Sequence, residues 1–173
     1  NYVKPATLEE AYKLNQARSS RVTGGMMWMR LGKAHVKTLI DLSGLGLDQI
    51  HDEDNVIKIG AMCTLRQVEE CEALKELFGD GIAESIRHIV GVQFRNGATL
   101  GGSLWRRMGF SDILTVFLAM DSYVELYKGG IVPLEEFARM PYDKDVLVRL
   151  IVKKQPGAFS YQAVRKQRTD IPS

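Results

Sequence analysis

The chain has 173 residues, of which 45% are hydrophobic and 25% are charged, and its formal net charge is +2 at pH 7. This length and composition suit a globular domain with its own core, and they exclude collagen-like and intrinsically disordered chains. The small net charge argues against nucleic-acid binding, because the basic residues are scattered except for Arg165, Lys166 and Arg168.

The two cysteines, Cys63 and Cys71, have no companion Cys or His at metal-ligand spacing. Neither a disulfide framework nor a zinc or iron-sulfur site is therefore predicted. No apolar stretch approaches the roughly 20 residues of a membrane span, and no charged-then-apolar signal segment opens the chain. We expect a soluble cytoplasmic protein with two buried, reduced thiols and no membrane contact.

In the first third of the chain, the Thr-x-x-Glu spacing that starts at Thr7 is a capping box and predicts a helix to about Arg18. Hydrophobic runs and alternation predict strands, which are Arg21 to Thr23, Thr38 to Leu42 and Val56 to Gly60. Gly24-Gly25 predicts a tight turn after the first strand. The apolar run from Met26 to Leu31, which includes Trp28, is predicted to join the core.

Further along, Thr64 repeats the capping-box spacing and predicts a second helix with both cysteines on or beside it. The five glycines between Gly91 and Phe110 predict a long loop. The other predicted elements are helices at Ile82 to Val90, at Ile113 to Met120 after a Ser111-Asp112 N-cap, and from Pro133, and strands at Tyr123 to Tyr127, Val146 to Val152 and Ala158 to Val164. Helices and strands without regular βαβ spacing favour an α+β fold.

Two glycine pairs, Gly24-Gly25 and Gly101-Gly102, are candidate phosphate-binding turns. Adjacent glycines let backbone N–H groups approach an anion closely. An ordinary tight turn is the alternative for each pair, and the pairs support one site only if they meet in space. Neither pair precedes Lys-Ser/Thr or lies in G-x-G-x-x-G, which argues against a P-loop nucleotide triphosphatase and a Rossmann enzyme.

A family resemblance is carried by three segments taken in order: Gln93-Phe94-Arg95-Asn96, then Thr99-Leu100-Gly101-Gly102-Ser103, then Ser111-Asp112 before an apolar helix. They are similar to Gln-Ile-Arg-Asn, Thr-Ile-Gly-Gly-Asn and Ser-Asp in the FAD-binding segment of molybdopterin dehydrogenase flavoproteins. Further matches are Thr23-Gly24-Gly25 and Leu39-Ile40-Asp41-Leu42. The chain thus resembles, over nearly its whole length, the FAD-binding medium subunit of the molybdenum hydroxylases, the family of xanthine dehydrogenase and carbon monoxide dehydrogenase.

This resemblance implies a two-lobed, α+β FAD-binding domain of the vanillyl-alcohol-oxidase type. A small α/β lobe is expected over residues 1–53, and a larger lobe with an antiparallel sheet and helices over residues 54–173. The family's C-terminal subdomain is expected to be missing from this sequence. FAD is expected to lie extended between the two lobes.

The resemblance also implies the cofactor-binding residues, which are Thr23, Gly24, Gly25, Met26, Met27, Thr99, Gly101, Gly102, Ser103, Ser111 and Asp112. Amides of the first two segments are expected to meet the pyrophosphate of FAD. Asp112 is expected to accept hydrogen bonds from sugar or ribityl hydroxyls, with plain N-capping of the next helix as the alternative. Met26 stands where the family often has Thr, and Ser103 where Asn is frequent. No catalytic or metal-binding residue is assigned.

Three arginines near these segments have structural interpretations. Arg95 is expected to organise the loop backbone rather than touch the cofactor. Arg106 and Arg107 are expected to lie on a solvated surface, with pairing to a phosphate or to a partner subunit as the alternative.

The resemblance implies an FAD-dependent oxidoreductase subunit that is active only within a complex. Its expected partners are a molybdopterin-binding large subunit and a 2Fe-2S small subunit, with NAD or another acceptor receiving the electrons. A different hypothesis is a degenerate scaffold that serves assembly or docking without flavin, motivated by Met26 and by Ala163, where some relatives place a lysine near the flavin. A hydrolase is disfavoured because the sequence shows no nucleophile and base arrangement.

Overall fold

The computed structural model describes residues 1–32, 35–155 and 159–164, and in these ranges helices and strands are mixed, as the α+β prediction requires. The strands are β1 (Tyr2–Val3), β2 (Ser20–Thr23), β3 (Thr38–Asp41), β4 (Ile50–Asp52), β5 (Val56–Gly60), β6 (Ser122–Leu126), β7 (Gly130–Pro133) and β8 (Leu147–Lys153). The helices are α1 (Leu8–Asn15), α2 (Leu65–Glu69), α3 (Glu72–Phe78), α4 (Gly81–Arg87), α5 (Val92–Gly97), α6 (Leu100–Trp105), α7 (Asp112–Leu118) and α8 (Leu134–Arg139). None of these helices has the length and apolar character that a membrane span requires.

The described strands form two sheets. The first is a three-stranded parallel sheet in the order β1-β3-β2, and α1 connects β1 to β2. The second is a five-stranded antiparallel sheet in the order β4-β5-β8-β6-β7. The chain passes from the first sheet to the second between Asp41 and Ile50.

Side-chain capping fixes where several helices begin. The hydroxyl oxygen of Thr7 accepts a hydrogen bond from the Glu10 amide at 3.1 Å, and α1 begins at the next residue. Thr64 and Gln67 form the predicted capping box of α2. Cys63 and Cys71 flank that helix, as predicted.

Each sheet has its own hydrophobic core, and β8 contributes to both. Ala11 and Ile40 pack with Val146 and Val148 in the smaller core, while Leu147, Leu150 and Val152 belong to the larger one. The register between β6 and β8 shifts at this point, since Leu126 pairs with Leu147 and Glu125 with Arg149. Val148 is therefore the extra residue of a β-bulge, and a bulge re-aims the side chains around it.

Four predicted elements differ from the structure, and one of them is the helix expected at Ile82 to Val90, which ends at Arg87. The predicted long loop from Gly91 to Phe110 is wrong, because α5 and α6 lie within it; its glycines allow close packing, and a Cβ at Gly101 would lie 2.7 Å from the carbonyl oxygen of Ala61. The first helix ends at Asn15 rather than Arg18, since a turn from Ala17 to Ser20 leads into β2. Residues 159–164 form no strand, and Ala158 of that prediction lies outside the described residues.

Candidate functional site

The first loop, which we define as residues 23–27, leaves β2 at the edge of the parallel sheet. Thr23 is buried, and its hydroxyl donates a hydrogen bond to the carbonyl oxygen of Gly24 at 3.1 Å. Met26 has φ 57, a left-handed conformation that costs a non-glycine residue about 1–2 kcal/mol. The amides from Gly24 to Met27 donate to no acceptor among the described residues. These amides therefore have no acceptor within the described part of the chain, which makes them the candidate donors to an external one.

The second loop, residues 97–103, runs from the last residue of α5 into the start of α6. The hydroxyl of buried Thr99 caps the helix by accepting from the Gly102 amide at 3.2 Å. The amide of Gly101 donates to Ala61, and that of Ser103 donates to the Thr99 carbonyl oxygen at 3.1 Å. The Ser103 hydroxyl donates to the same carbonyl, also at 3.1 Å. Unlike those of the first loop, these amides already have acceptors within the chain.

The two loops meet in space. A Cβ at Gly24 would overlap the Thr99 hydroxyl, and a Cβ at Gly25 would overlap the carbonyl oxygen of Gly97. The methyl group of Met27 lies where a side chain at Gly97 would project. The absence of side chains at these glycines therefore allows the loops to touch. Gly97 is a contact residue that the sequence did not single out, although it lies within the family-like segment.

The third segment begins α7. Ser111 is the N-cap of this helix, because its hydroxyl accepts a hydrogen bond from the Leu114 amide at 3.2 Å. The alternative role of Asp112 as the N-cap is therefore filled by Ser111. The Asp112 carboxylate instead accepts a hydrogen bond of 2.7 Å from the hydroxyl of Tyr161. A cavity of about 240 Å³ lies here between α7 and residues 159–163. Because ligand pockets typically measure about 300–1,000 Å³, this cavity fits only part of an extended ligand.

An exposed aromatic pair connects the third segment with the first loop. The rings of Trp28 and Phe110 have centroids 6.3 Å apart at an interplanar angle of 55°. Trp28 is 58% exposed, Phe110 40% and Met26 43%. The prediction that the run from Met26 to Leu31 joins the core is therefore wrong for Met26, Trp28 and Leu31, whereas Met27 is partly buried against the larger core. Phe110 and Tyr161 are further residues that the sequence did not single out; each lies beside a predicted residue.

The buried Arg95 has the structural role predicted for it. Its Nε lies 2.9 Å from the carboxylate of Glu69, and the two side chains are only 5% and 7% exposed. A further hydrogen bond of 3.3 Å runs from Arg95 to the carbonyl oxygen of Ile89. This ion pair fixes α5 against α2, directly before the second loop.

Arg107 does not lie on a solvated surface as predicted. Its guanidinium carbon is 4.0 Å from the ring centroid of Phe137, 4.8 Å from that of Tyr142 and 5.2 Å from that of Trp105. Burial lowers the pKa of Arg107, with the charges of Tyr142 and Asp143 opposing it. The side chain thus belongs to an aromatic cluster rather than to the site.

In the described ranges, no group of three or more His, Cys, Asp and Glu residues is arranged to hold a metal ion.

Comparison with known proteins places the chain among flavoprotein domains. Residues 1–154 match the family model described as the FAD binding domain in molybdopterin dehydrogenase. The chain belongs to this family, and FAD is the family's cofactor.

Two curated relatives and two solved structures illustrate the likeness. The nicotine 6-hydroxylase medium subunit of Paenarthrobacter nicotinovorans is 31% identical over 133 residues, covering 72% of this chain and 46% of that protein. The uncharacterized protein YgfM of Escherichia coli K12 is 24% identical over 160 residues, covering 88% of this chain and 58% of that one. The chain thus spans about half the length of these curated relatives.

Two solved structures have the same fold. Quinoline 2-oxidoreductase from Pseudomonas putida 86 gives a TM-score of 0.87 at 18% identity, covering 99% of this chain and 65% of that chain. Carbon monoxide dehydrogenase from Hydrogenophaga pseudoflava gives 0.83 at 21% identity, covering 99% and 66%.

Proposed function

We propose that this chain is the FAD-binding, electron-transferring part of a molybdopterin-dependent dehydrogenase or hydroxylase. Electrons arrive from iron-sulfur centres and leave through FAD to NAD or another acceptor. The observation that carries the proposal is the contact between the two glycine loops, because it brings Gly24 and Gly25 against Gly97 and Thr99. Bound FAD supplies the redox chemistry, and the protein supplies binding and orientation.

The donors and acceptors of the site fit a dinucleotide. The open amides from Gly24 to Met27 suit a pyrophosphate, which needs N–H donors at close range. Thr99 and Ser103 shape the opposite wall. The Thr99 hydroxyl accepts from the Gly102 amide and keeps its own proton as a donor, whereas the Ser103 hydroxyl donates its proton within α6. Asp112 is a carboxylate beside a cavity, which suits the hydroxyls of a sugar or ribityl chain. The predicted cofactor-binding residues thereby remain our assignment, with the first loop as the main donor.

The proposed architecture is the two-lobed type of vanillyl-alcohol oxidase, with lobes at residues 1–53 and 54–173. The separate parallel and antiparallel sheets support two lobes, but β4 (Ile50–Asp52) already belongs to the antiparallel sheet, so the sheets change before residue 50 rather than at residue 54. The proposed partners are a molybdopterin-binding large subunit and a 2Fe-2S small subunit, supported by the likeness to a medium subunit of nicotine 6-hydroxylase. The cytoplasmic location expected from the sequence stays a prediction.

A second candidate function is that of a docking subunit without flavin. The engaged amides of Gly101 and Ser103 favour it, since they reduce the donors available to a phosphate. Met26 adds to this, because it offers no hydroxyl where the family often has Thr. The docking function requires the fold and its partners, but not the open amides of the first loop.

FAD titration of the full-length protein separates the two functions. The protein, purified with its partner subunits, is expected to be yellow and, after flavin removal, to bind added FAD at one site per chain. Asp112→Ala is expected to weaken FAD binding, whereas Asp143→Ala, which changes an exposed carboxylate outside the assigned site, is expected to leave it unchanged. A colourless complex that assembles normally and does not take up FAD would establish the docking function instead.

A further inference from the structure

Trp28 and Phe110 present two large aromatic rings to solvent directly beside the first loop. Trp28 follows the open amides at the end of that loop, and Phe110 lies two residues before Asp112. The rings contact each other across the gap between these segments, with centroids 6.3 Å apart. The pair therefore joins the two segments that supply the proposed pyrophosphate donors and the hydroxyl acceptor.

We propose that Trp28 and Phe110 form a stacking surface for one of the planar heteroaromatic rings of FAD. This inference rests on the proposed function and adds residues to its site. A ring placed against Trp28 lies next to the amides of the first loop, so one extended molecule can reach both. The adenine and the isoalloxazine share the required chemistry, because both are planar π systems.

Stacking against a ligand ring buries aromatic surface that Trp28 and Phe110 otherwise expose to water. Aromatic side chains bury about 150–250 Å² each when they are covered, and leaving them in water forfeits that gain. The other tryptophan of the chain has no such opening, since Trp105 packs against Phe137 at a centroid distance of 5.9 Å and against Arg107. The contrast between the two tryptophans makes Trp28 separately measurable.

The test uses Trp105→Phe as the background in the full-length protein, so that any emission from this chain's two tryptophans comes from Trp28. FAD, ADP and riboflavin are titrated separately into the flavin-free protein. ADP carries only the adenine and riboflavin only the isoalloxazine, so the molecule that loses affinity when the Trp28 ring is removed identifies the stacked ring. We expect FAD and one of the other two to lose affinity.

The same three ligands are titrated into Trp28→Leu and Phe110→Leu, and binding is measured by calorimetry because Trp28→Leu has no Trp28 emission to follow. Each is expected to weaken FAD binding roughly five- to a hundred-fold, the range for losing one stacked ring. Leu31→Ala is the matched control, because Leu31 is 72% exposed and carries no ring, and it is expected to leave the dissociation constant unchanged.

The possible results distinguish this inference from the proposed function on which it rests. If the parent protein does not bind FAD, both are overturned. If it binds FAD and both leucine variants bind FAD as tightly as the parent, only the stacking surface is overturned. Leucine variants that keep FAD affinity but lose their partner subunits would overturn it too, and would identify the pair as a docking surface.

Discussion

The carbonyl oxygen of Gly97 occupies the space into which a side chain at Gly25 would project. The two residues are far apart in the sequence, yet their backbones are in direct contact. The site therefore depends on the absence of a Cβ at position 25 as much as on any side chain. A single methyl group there must separate the two loops or distort one of them.

Gly25→Ala is expected to impair both stability and flavin binding. Overpacking of this kind costs about 1–3 kcal/mol, and for a chain of this size each kcal/mol lowers the melting temperature by about 2–4 °C. Separation of the loops is also expected to weaken FAD binding at least roughly ten-fold, about 1.4 kcal/mol. Thermal unfolding without FAD and titration with FAD measure the two effects.

The matched control is Gly44→Ala. A Cβ at Gly44 meets no atom within 4 Å, and Gly44 is exposed. Its melting temperature and FAD affinity are expected to equal those of the parent. If Gly25→Ala behaved like this control, the close contact between the loops would be refuted.

Glu69→Gln is expected to destabilise the protein by about 3 kcal/mol at pH 7, because it leaves the buried Arg95 without its counter-charge. Burial raises the pKa of Glu69, but hydrogen bonds and charges from Arg66 and Arg95 outweigh it and hold the pKa below its usual range. The ion pair's contribution is therefore complete above the ordinary glutamate pKa of about 4.3 and is lost as the pH falls through the lowered value. The difference in unfolding free energy between parent and variant should narrow below about pH 4.3.

Urea unfolding at pH 7, 5 and 4 tests this behaviour. Glu70→Gln is the control, because Glu70 also pairs with Arg66 but its side chain is 57% exposed. An exposed pair contributes at most about 1 kcal/mol. Equal losses in the two variants at pH 7 would contradict the importance of burial.

The two cysteines are expected to differ in reactivity. Burial, the largest influence, raises the pKa of the Cys63 thiol to about 11, and its side chain is inaccessible. Since the thiolate is the reactive form, a disulfide reagent at pH 8 should modify Cys71 alone in the native protein. Cys63 should react only after denaturation. Rapid labelling of native Cys71→Ser protein would contradict this expectation.

Val90→Gly is expected to stabilise the protein. Val90 has φ 53 and is 81% exposed, so its backbone is strained and its side chain packs against little. Removing strain of about 1–2 kcal/mol outweighs the entropic cost of glycine, about 0.5–1 kcal/mol. A rise of about 2 °C in melting temperature is the expected result.

The comparison variant is Val92→Gly. Val92 is the first residue of α5, where glycine is unfavourable, and it is 47% exposed. Its melting temperature should fall. A lower melting temperature for Val90→Gly as well would show that the left-handed backbone is not strained.

Local features were the most predictable from the sequence. Helix starts at Thr7, Thr64 and Ser111 depend on hydrogen bonds within three residues, and all three are confirmed. Strand β5 has the predicted bounds because alternation over five residues specifies a half-buried strand. The family-like segments around Thr99 and Asp112 were recognisable for a similar reason, since their residues are close in the sequence.

Features that depend on distant residues were not predictable. An apolar run such as that around Trp28 resembles core, and only the path of the chain after Gly25 shows that Trp28 itself is exposed. The aromatic cluster of Arg107 needs Phe137 and Tyr142, which are 30 or more residues away. Gly25 and Gly97 are also far apart in the sequence, so the sequence predicts two glycine loops but not the contact between them.

The bulged strand β8 has a consequence for how the chain is made. It is the last strand described, yet it lies between β5 and β6, and Val148 within it and Val146 just before it belong to the core around Ala11. During synthesis on the ribosome, neither hydrophobic core is complete until these late residues have emerged. The N-terminal lobe therefore cannot finish folding before residues 146–152 are available. Such long-range closure slows folding and lengthens the period in which unpaired strand edges are exposed to aggregation.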